Sequence, residues 1–565
     1  MAKRSGGYKG KEDAFVFLPL GGVGEIGMNL YLYGLGTGDH RKWLMVDLGI
    51  TFPGEREPGV DVIMPDIRFI EAQRKNLLGI VITHAHEDHY GAIMELWPRL
   101  GAPIYATSFA AGMLRAKMSE FGGSKKIEIN VVEQGARFDV GPFNVELVTM
   151  AHSIPQPNAL AIRTHFGTAL HTGDWKLDPE PVIGSVTDEA RLREIGDEGI
   201  DAMICDSTNV LREGVSPSEG EVGRSLTKII GAASGRVAVT TFASNVARIK
   251  SVSDAAKACG RRLIVSGRSL ERVINVAMEC GLLPKGLKYY SQDDYGYLPR
   301  DEVVLLCTGS QGENRAALAR IANDEHRSIH LARGDTVIFS SRTIPGNENS
   351  VGDVQNALAE LGVKIITDSD ALVHVTGHPR RAELAKIYEW CRPDAAIPMH
   401  GEPRHLEAHR EFAKSQGVKT TVSARNGSIV RLAPQPAAKI DEAPSGRIYR
   451  DGHLILGADA SAIAERRKLS FVGIMVVVLL LTKDGDFFAE PRIMLDGIPE
   501  LDAMGVPMRD EVLDNVEGAI ESIPRKKRRN VDTVREAARR AARKTVYRAW
   551  GKKPICKVMV EVISD

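Results

Sequence analysis

Three histidines and two acids crowd into six positions, His84, His86, Glu87, Asp88 and His89, directly after the apolar run Leu78–Ile82. Such a run ending in a polar turn reads as a buried strand that delivers its next residues to a sheet edge. Imidazole nitrogens and carboxylate oxygens are ligands that zinc accepts, and a catalytic zinc site keeps one position open for water. The spacing H-x-H-x-D-H can aim His84 and His86 at one point and Asp88 and His89 at a neighbouring one. Two ions about 3.5–4 Å apart would clamp the attacking and leaving oxygens of a displacement. The whole chain has 15 histidines, so three within six positions are poorly explained as a chance surface turn.

Further donors follow other short apolar runs. His152 comes after Phe143–Met150, and Asp174 sits in Leu170-His-Thr-Gly-Asp-Trp175. A lone histidine at a strand end is more often a packing or capping residue. Together with the 84–89 cluster, however, these two complete a site in which Asp174 can bridge both ions. Three more segments carry polar groups at strand or helix ends: Cys205-Asp206-Ser-Thr-Asn209, His374-Val375-Thr376-Gly377-His378, and Pro398-Met-His400-Gly-Glu402. A Thr-Gly-His turn ahead of a helix offers backbone N–H groups to an anion. Loop packing is the alternative for His374 and His378.

One motif misleads. Gly22-Val-Gly24-Glu-Ile-Gly27 fits GxGxxG, with Asp47 twenty residues beyond Gly27. A dinucleotide site needs a helix after the glycines to hold the pyrophosphate. Here Met28–Leu35 alternates as a strand does, so the glycines read as a tight turn between two strands.

The elements that must position these residues come in two textures. Over the first 200 residues, strands at Phe15–Leu20, Leu30–Tyr33, Trp43–Val46 and Ile80–Ile82 mix with helices at Glu95–Leu100 and Phe109–Phe121. From about residue 216 helix and strand alternate: helix 218–233, strand Val237–Thr241, helix 245–259, strand Leu263–Val265, helix 269–280, then strands near 303–307 and 336–340. That alternation predicts a parallel βαβ layer. Residues 434–446, PQPAAKIDEAPSG, read as a linker. Beyond it, strands at 470–481 and 556–563 and a helix at 509–522 predict a small α/β domain.

Bulk properties set outer limits. A chain of 565 residues is too long for one core. Lys plus Arg and Asp plus Glu each number 73, which argues against an unselective coat of positive charge but not against a local basic groove. Six cysteines stand singly with no CxxC pair, fitting a reducing compartment and disfavouring a thiolate zinc site. The segment MAKRSGGYKGKEDA lacks the apolar core of a signal peptide, and the longest apolar run, Phe471–Leu481, is too short to cross a bilayer. A cytoplasmic protein is expected.

On Asp47, the 84–89 cluster, His152 and Asp174, the chain resembles the metallo-β-lactamase superfamily. The segments at 205–209, 374–378 and 398–402 look like the three motifs of its β-CASP nucleases. Ser340-Ser-Arg342-Thr-Ile-Pro-Gly346-Asn347-Glu348 and the C-terminal part are similar to the bacterial ribonuclease J family. This resemblance implies an α/β fold: a metallo-β-lactamase αββα sandwich with an inserted β-CASP βαβ domain and a small C-terminal α/β domain. Residues 1–215 and 366–433 would form the sandwich, 216–365 the insertion, 434–455 the linker and 456–565 the last domain. The family's ligands fall on His84, His86, His152 and Asp174 for one zinc ion and on Asp88, His89, Asp174 and His400 for the second. Manganese or magnesium could replace or supplement zinc. Asp47 and Asp206 would orient the ligands from behind.

The resemblance also implies that Ala243, Ser244, Asn245 and the turn His374, Val375, Thr376, Gly377 and His378 contact RNA phosphates. His378 and Asp88 are the catalytic candidates, His378 either passing a proton to the leaving oxygen or hydrogen bonding to the phosphate. The implied activity is 5′-to-3′ exonuclease action on single-stranded RNA with a 5′-monophosphate, plus endonuclease action, in RNA decay and rRNA processing. Homodimers or homotetramers and partners in a decay complex are implied as well. A DNA-processing β-CASP nuclease, a small-molecule metallo-hydrolase and a non-catalytic binding protein are the competing readings. Thirteen Lys/Arg against two acids between Arg525 and Lys553 leave RNA contact, a solvated helix and an oligomer contact all open.

Overall fold

Strand Ala14–Gly21 is buried along its whole length, as expected of a strand covered on both faces. It is one of eight strands in the first sheet of a computed structural model that describes residues 13–121, 127–344 and 346–563. Residues 1–12 of the N-terminal segment and Pro345 of the 340–348 motif lie outside the described residues. The chain divides into two compact units, one of residues through Thr51 with Ile63–Ile448, the other of Phe52–Val62 with Tyr449 onward.

In the larger unit, the first sheet runs in the order 438–442, 428–433, 14–21, 30–36, 42–46, 77–81, 104–106, 129–131. A seven-stranded sheet runs 420–421, 395–399, 202–206, 167–171, 158–164, 143–149, 137–140. Phe15, Phe17, Tyr31 and Tyr33 of the first sheet meet Phe143, Leu160, Ile162 and Ile204 of the second in one buried core. The period of two along each strand puts these side chains on the shared face. Helices Glu189–Glu198, Arg381–Cys391 and Pro403–Ser415 cover the outer face of the second sheet through Leu192, Ile195, Leu384, Ile387 and Ala413. This is the expected αββα sandwich.

The inserted layer is a five-stranded, wholly parallel sheet in the order 262–266, 303–307, 237–240, 336–339, 364–366. Its helices fall at Glu219–Ala232, Val246–Ala258, Arg268–Glu279 and Glu348–Glu360 among others. Ser218 and Glu221 close a capping box at the first of them, which fixes where the layer begins.

The glycine motif is a turn, as expected. Strands Ala14–Gly21 and Leu30–Gly36 pair antiparallel across it, and Gly22, Gly24 and Gly27 all have positive φ.

Residues 434–446 differ from the expected linker. Ala438–Glu442 is a strand, with Ser428 opposite Glu442 and Arg431 opposite Ala438. Pairing at an exposed edge needs only backbone N–H and C=O groups, so a charged, proline-flanked composition does not forbid it.

The smaller unit contains strands Phe487–Asp496, Ile474–Leu481 and Ile555–Val562 in that order. Met475, Val477, Leu479 and Leu481 pack on helices Met508–Glu521 and Val531–Trp550. The expected strand at 470–481 begins only at Ile474, because helix Ser461–Val472 runs to Gly473, whose φ of 66° ends it. In the basic stretch Arg525 pairs with Asp486, Arg529 with Asp484, and Arg535, Arg539 and Arg540 with acids of their own helix. Much of its charge is offset locally. No helix among the described residues is long and apolar enough to cross a membrane.

Candidate metal centre

Neighbouring parallel strands Lys42–Val46 and Leu77–Val81 end beside each other, and Asp47 and His84 follow them. On the facing sheet, strands 143–149, 167–171, 202–206 and 395–399 are followed or ended by His152, Asp174, Asp206 and His400. Asp88 and His89 sit in the short helix Glu87–Tyr90, and the other expected ligands leave the C-terminal end of a strand or the turn just after it. Gly49 lies so close to the turn that an added Cβ would sit 1.7 Å from the Asp88 carbonyl oxygen. Asp47 and His400 hold left-handed backbone, with φ of 62° and 49°, a conformation that costs a non-glycine residue energy and persists where its surroundings impose it.

The seven groups converge in two neighbouring sets. His84, His86 and His152 form one set that could hold a metal ion; Asp88, His89, Asp174 and His400 form another, with ligand atoms in each set within 4.8 Å of one another. His86 Nδ1 is 3.1 Å from Nε2 of both His84 and His152. Asp174 Oδ2 lies 3.1 Å from His89 Nε2, 3.4 Å from His400 Nε2, 3.9 Å from His84 Nε2 and 4.0 Å from His152 Nε2. It stands between the two sets.

The hydrogen bonding behind these atoms tests whether a cation fits. The Thr83 hydroxyl donates to Asp47 Oδ2 at 2.8 Å, so it must accept from His84 Nδ1 at 3.0 Å. His152 Nδ1 donates to the Gly377 carbonyl at 2.6 Å. Both Nε2 atoms therefore present lone pairs to His86 Nδ1, and one proton there cannot satisfy both. A cation satisfies all three. Asp174 Oδ1 is also buried with no hydrogen-bond partner. The donor set fits metal binding.

Titration behaviour agrees. Burial, then the neighbouring imidazoles, holds His84 and His152 well below the ordinary histidine value. Burial brings His86 down to about 4 against the pull of Asp88. All three are neutral at pH 7, the state that metal ligation needs. Burial opposes charge on His89, but Asp174, Asp88 and Asp47 prevail and raise it. That point favours a positive charge, whether proton or metal. Asp174 is held well below the carboxylate range, His400 and His89 outweighing its burial.

Asp47 accepts from His89 Nδ1 at 2.7 Å and from the Thr83 backbone N–H at 2.8 Å. Asp206 Oδ2 lies 2.7 Å from His378 Nδ1. Burial would lower His378, yet Asp206 leads the carboxylates that lift it to about 9. The His378 ring centroid is 5.2 Å from that of His152 and 5.5 Å from that of His400. Asn209 Nδ2 holds the turn by donating to Thr376 Oγ1 at 2.8 Å and to the His378 carbonyl at 3.1 Å. A Cβ on Gly377 would sit 2.5 Å from His152 Cε1.

Other expected contact residues lie differently. Val375 is buried, and burial with nearby Arg248 pushes His374 down to about 3. Asn245 caps helix Val246–Ala258, accepting from the Arg248 N–H at 2.9 Å. Its side chain is therefore engaged, while Ala243 and Ser244 of the same turn are half-exposed.

Asn29 escaped the sequence reading. Its oxygen accepts from His400 Nδ1 at 2.9 Å and from the Tyr31 hydroxyl at 2.7 Å; its nitrogen lies 2.9 Å from His89 Nε2 and donates to the Asp88 carbonyl at 2.9 Å. The only available signal was its place after the glycine turn. That turn docks on the His400 segment through His400 N–H to Gly22 O at 2.7 Å and Gly24 N–H to Gly401 O at 3.0 Å.

Family models match consecutive parts of the chain: Metallo-beta-lactamase superfamily over 26–203, Ribonuclease J, beta-CASP domain over 234–358, Zn-dependent metallo-hydrolase RNA specificity domain over 362–423, and Ribonuclease J C-terminal domain over 461–563. A solved protein of unknown function from Enterococcus faecalis shares the fold at TM-score 0.52 and 16% identity, over 74% of this chain and 100% of that one. Ribonuclease J of Thermus thermophilus is 36% identical over 85% of each chain. Ribonuclease J of Sinorhizobium meliloti is 54% identical over 97% of this chain and 98% of its own. With a two-sheet sandwich, its inserted parallel layer and identity of this extent, the chain belongs to the ribonuclease J family.

Proposed function

We propose that this chain is a ribonuclease that hydrolyses RNA phosphodiester bonds with two zinc ions. His84, His86, His152 and Asp174 would hold one ion; Asp88, His89, Asp174 and His400 would hold the second, with manganese or magnesium as substitutes. The observation that carries the reading is the Asp174 carboxylate, whose Oδ2 stands within 4.0 Å of imidazole nitrogens from both sets. When bound, the metals supply Lewis acidity that lowers the pKa of water and offsets charge on the phosphoryl group.

The protein's own groups do the rest. Asp47 and Thr83 fix the tautomers of His89 and His84, so that Nε2 of each faces inward. Asp206 holds His378 by Nδ1, leaving Nε2 to donate to the leaving oxygen or to the phosphate. Asp88, 31% exposed at its side chain, is a ligand open to substrate. The turn His374–His378 and the half-exposed Ala243 and Ser244 would contact the RNA backbone.

The family resemblance supports 5′-to-3′ exonuclease action favouring a 5′-monophosphate on single-stranded RNA, with endonuclease action besides. A pocket sized for one phosphate would disfavour a triphosphate end. On the same grounds we place the protein in the cytoplasm, as a homodimer or homotetramer acting in rRNA maturation and RNA decay, with decay-complex partners.

One RNA carrying a 5′-monophosphate, 5′-triphosphate or 5′-hydroxyl end, incubated with and without chelator, tests this reading. Fastest release of nucleotides from the monophosphate form, abolished by chelator, is expected. Equal rates on all three ends would remove the pocket, and undiminished cleavage in chelator would remove the metals.

A further inference from the structure

Arg248 and Glu219 are a buried ion pair outside the metal cluster, at 0% and 1% exposure. Arg248 Nη2 donates to Glu219 Oε2 at 2.9 Å. Both residues belong to the inserted layer, in the first turns of helices Val246–Ala258 and Glu219–Ala232. Their contacts extend beyond it. Arg248 Nη1 donates to the Val373 carbonyl at 2.8 Å and to the Ser340 carbonyl at 3.1 Å, and also meets the Ser340 hydroxyl. That hydroxyl donates to the same Val373 carbonyl at 2.7 Å. On the other side, the Glu219 N–H donates to Asp178 Oδ2 at 2.9 Å, and Lys176 Nζ lies 2.7 Å from that oxygen. The Lys176 N–H in turn donates to the Ala151 carbonyl, beside His152.

Val373 opens the segment that ends in His378. Asp206, Asn209 and His152 of the sandwich hold the far end of that segment; Arg248 and Ser340 of the insertion hold its near end. We propose that Arg248, braced by Glu219 and assisted by Ser340, is a positioning strut through which the inserted layer sets the turn carrying His378. A planar guanidinium can meet a carboxylate and two carbonyls at once, whereas the single ammonium of lysine cannot reproduce that geometry. Ala243–Asn245 lead directly into the helix of Arg248, with Asn245 as its N-cap, so RNA gripping them would press on the strut.

The catalytic consequence rests on the ribonuclease reading above; the positioning itself does not, and two measurements separate them. Arg248→Lys keeps a positive charge beside Glu219 and guards against collapse, and Ser340→Ala is the milder second variant. Hydrogen exchange by mass spectrometry should rise in peptides spanning 373–378 in both variants and stay level in peptides spanning 84–91. Unchanged exchange at 373–378 overturns the strut, whatever the enzyme does. On 5′-monophosphate RNA, Arg248→Lys should lower kcat about 10–100-fold, the scale of a misplaced catalytic group, with KM little altered. In a His378→Ala background the same substitution should cost little more, since both act through one group. Full additivity there would reduce Arg248 to a fold-maintaining residue and overturn the proposal. No cleavage by the unaltered protein would refute the ribonuclease reading and leave the exchange result standing.

Discussion

The carboxamide oxygen of Asn29 lies 2.9 Å from Nδ1 of His400, a residue 371 positions away. This bond fixes the His400 tautomer with Nε2 facing Asp174, and the same amide reaches His89 and Asp88. Partners that orient metal ligands typically control affinity by about 10–100-fold. Asn29→Ala should weaken zinc binding by that amount, read by competition with a chromophoric chelator. Unaltered affinity would show that His400 is held by its strained backbone alone.

Gly377 tests the packing of the turn that carries His378. Its φ is not left-handed, so an effect of Gly377→Ala would be steric, arising from the 2.5 Å approach to His152 Cε1. His152 or the turn must move, and a displacement near 1 Å can cost about 100-fold in rate. Steady-state kinetics on a 5′-monophosphate RNA should show that loss with thermal stability nearly intact. Wild-type turnover would mean that the turn yields freely.

Metal removal should destabilise the larger unit. Lone pairs of buried imidazoles face one another there, and a ligand that binds only the folded chain stabilises it by about 2.7 kcal/mol at 100 times its Kd. Thermal unfolding in chelator should occur at lower temperature and be restored by zinc. Identical melting with and without chelator would argue against resident metal.

A pH test lies away from the centre. Glu146 is buried and meets Arg137, Arg163 and Arg191 at 2.7–3.0 Å. Burial would raise its carboxyl, but Arg191 and Arg163 outweigh that and hold it below the ordinary 4.5. A lowered folded-state value means that this pairing contributes fully above pH 4.5 and fades as pH falls through the lowered value. Glu146→Gln should cost about 1–2 kcal/mol at neutral pH, a modest figure because the guanidiniums keep contact with water. Denaturant curves of the two proteins should converge in acid. A gap that widened there would reverse the sign of the argument.

The convergence of the candidate ligands was legible because their segments follow apolar runs, and strand ends are where a two-sheet sandwich gathers polar groups. The parallel layer was legible from its alternation of helix and strand. What stayed hidden depends on contacts between distant segments. Asn29 looks like any residue after a turn; the left-handed backbone of Asp47 and His400 has no local signature; and Arg248 and Glu219 resemble ordinary surface charges of amphipathic helices until the fold encloses them. The strand at 438–442 was missed for a different reason, since its stability comes from backbone pairing that composition does not report.

That edge strand limits how the protein can be dissected. Ser428–Ala433 is flanked by Ala14–Gly21 on one side and by Ala438–Glu442 on the other. A truncation placed at the proline-rich stretch would leave a naked row of amides and carbonyls along 428–433, an invitation to intermolecular pairing. Trimmed forms intended to report on catalysis should therefore terminate downstream of Glu442, or loss of solubility will be mistaken for loss of function.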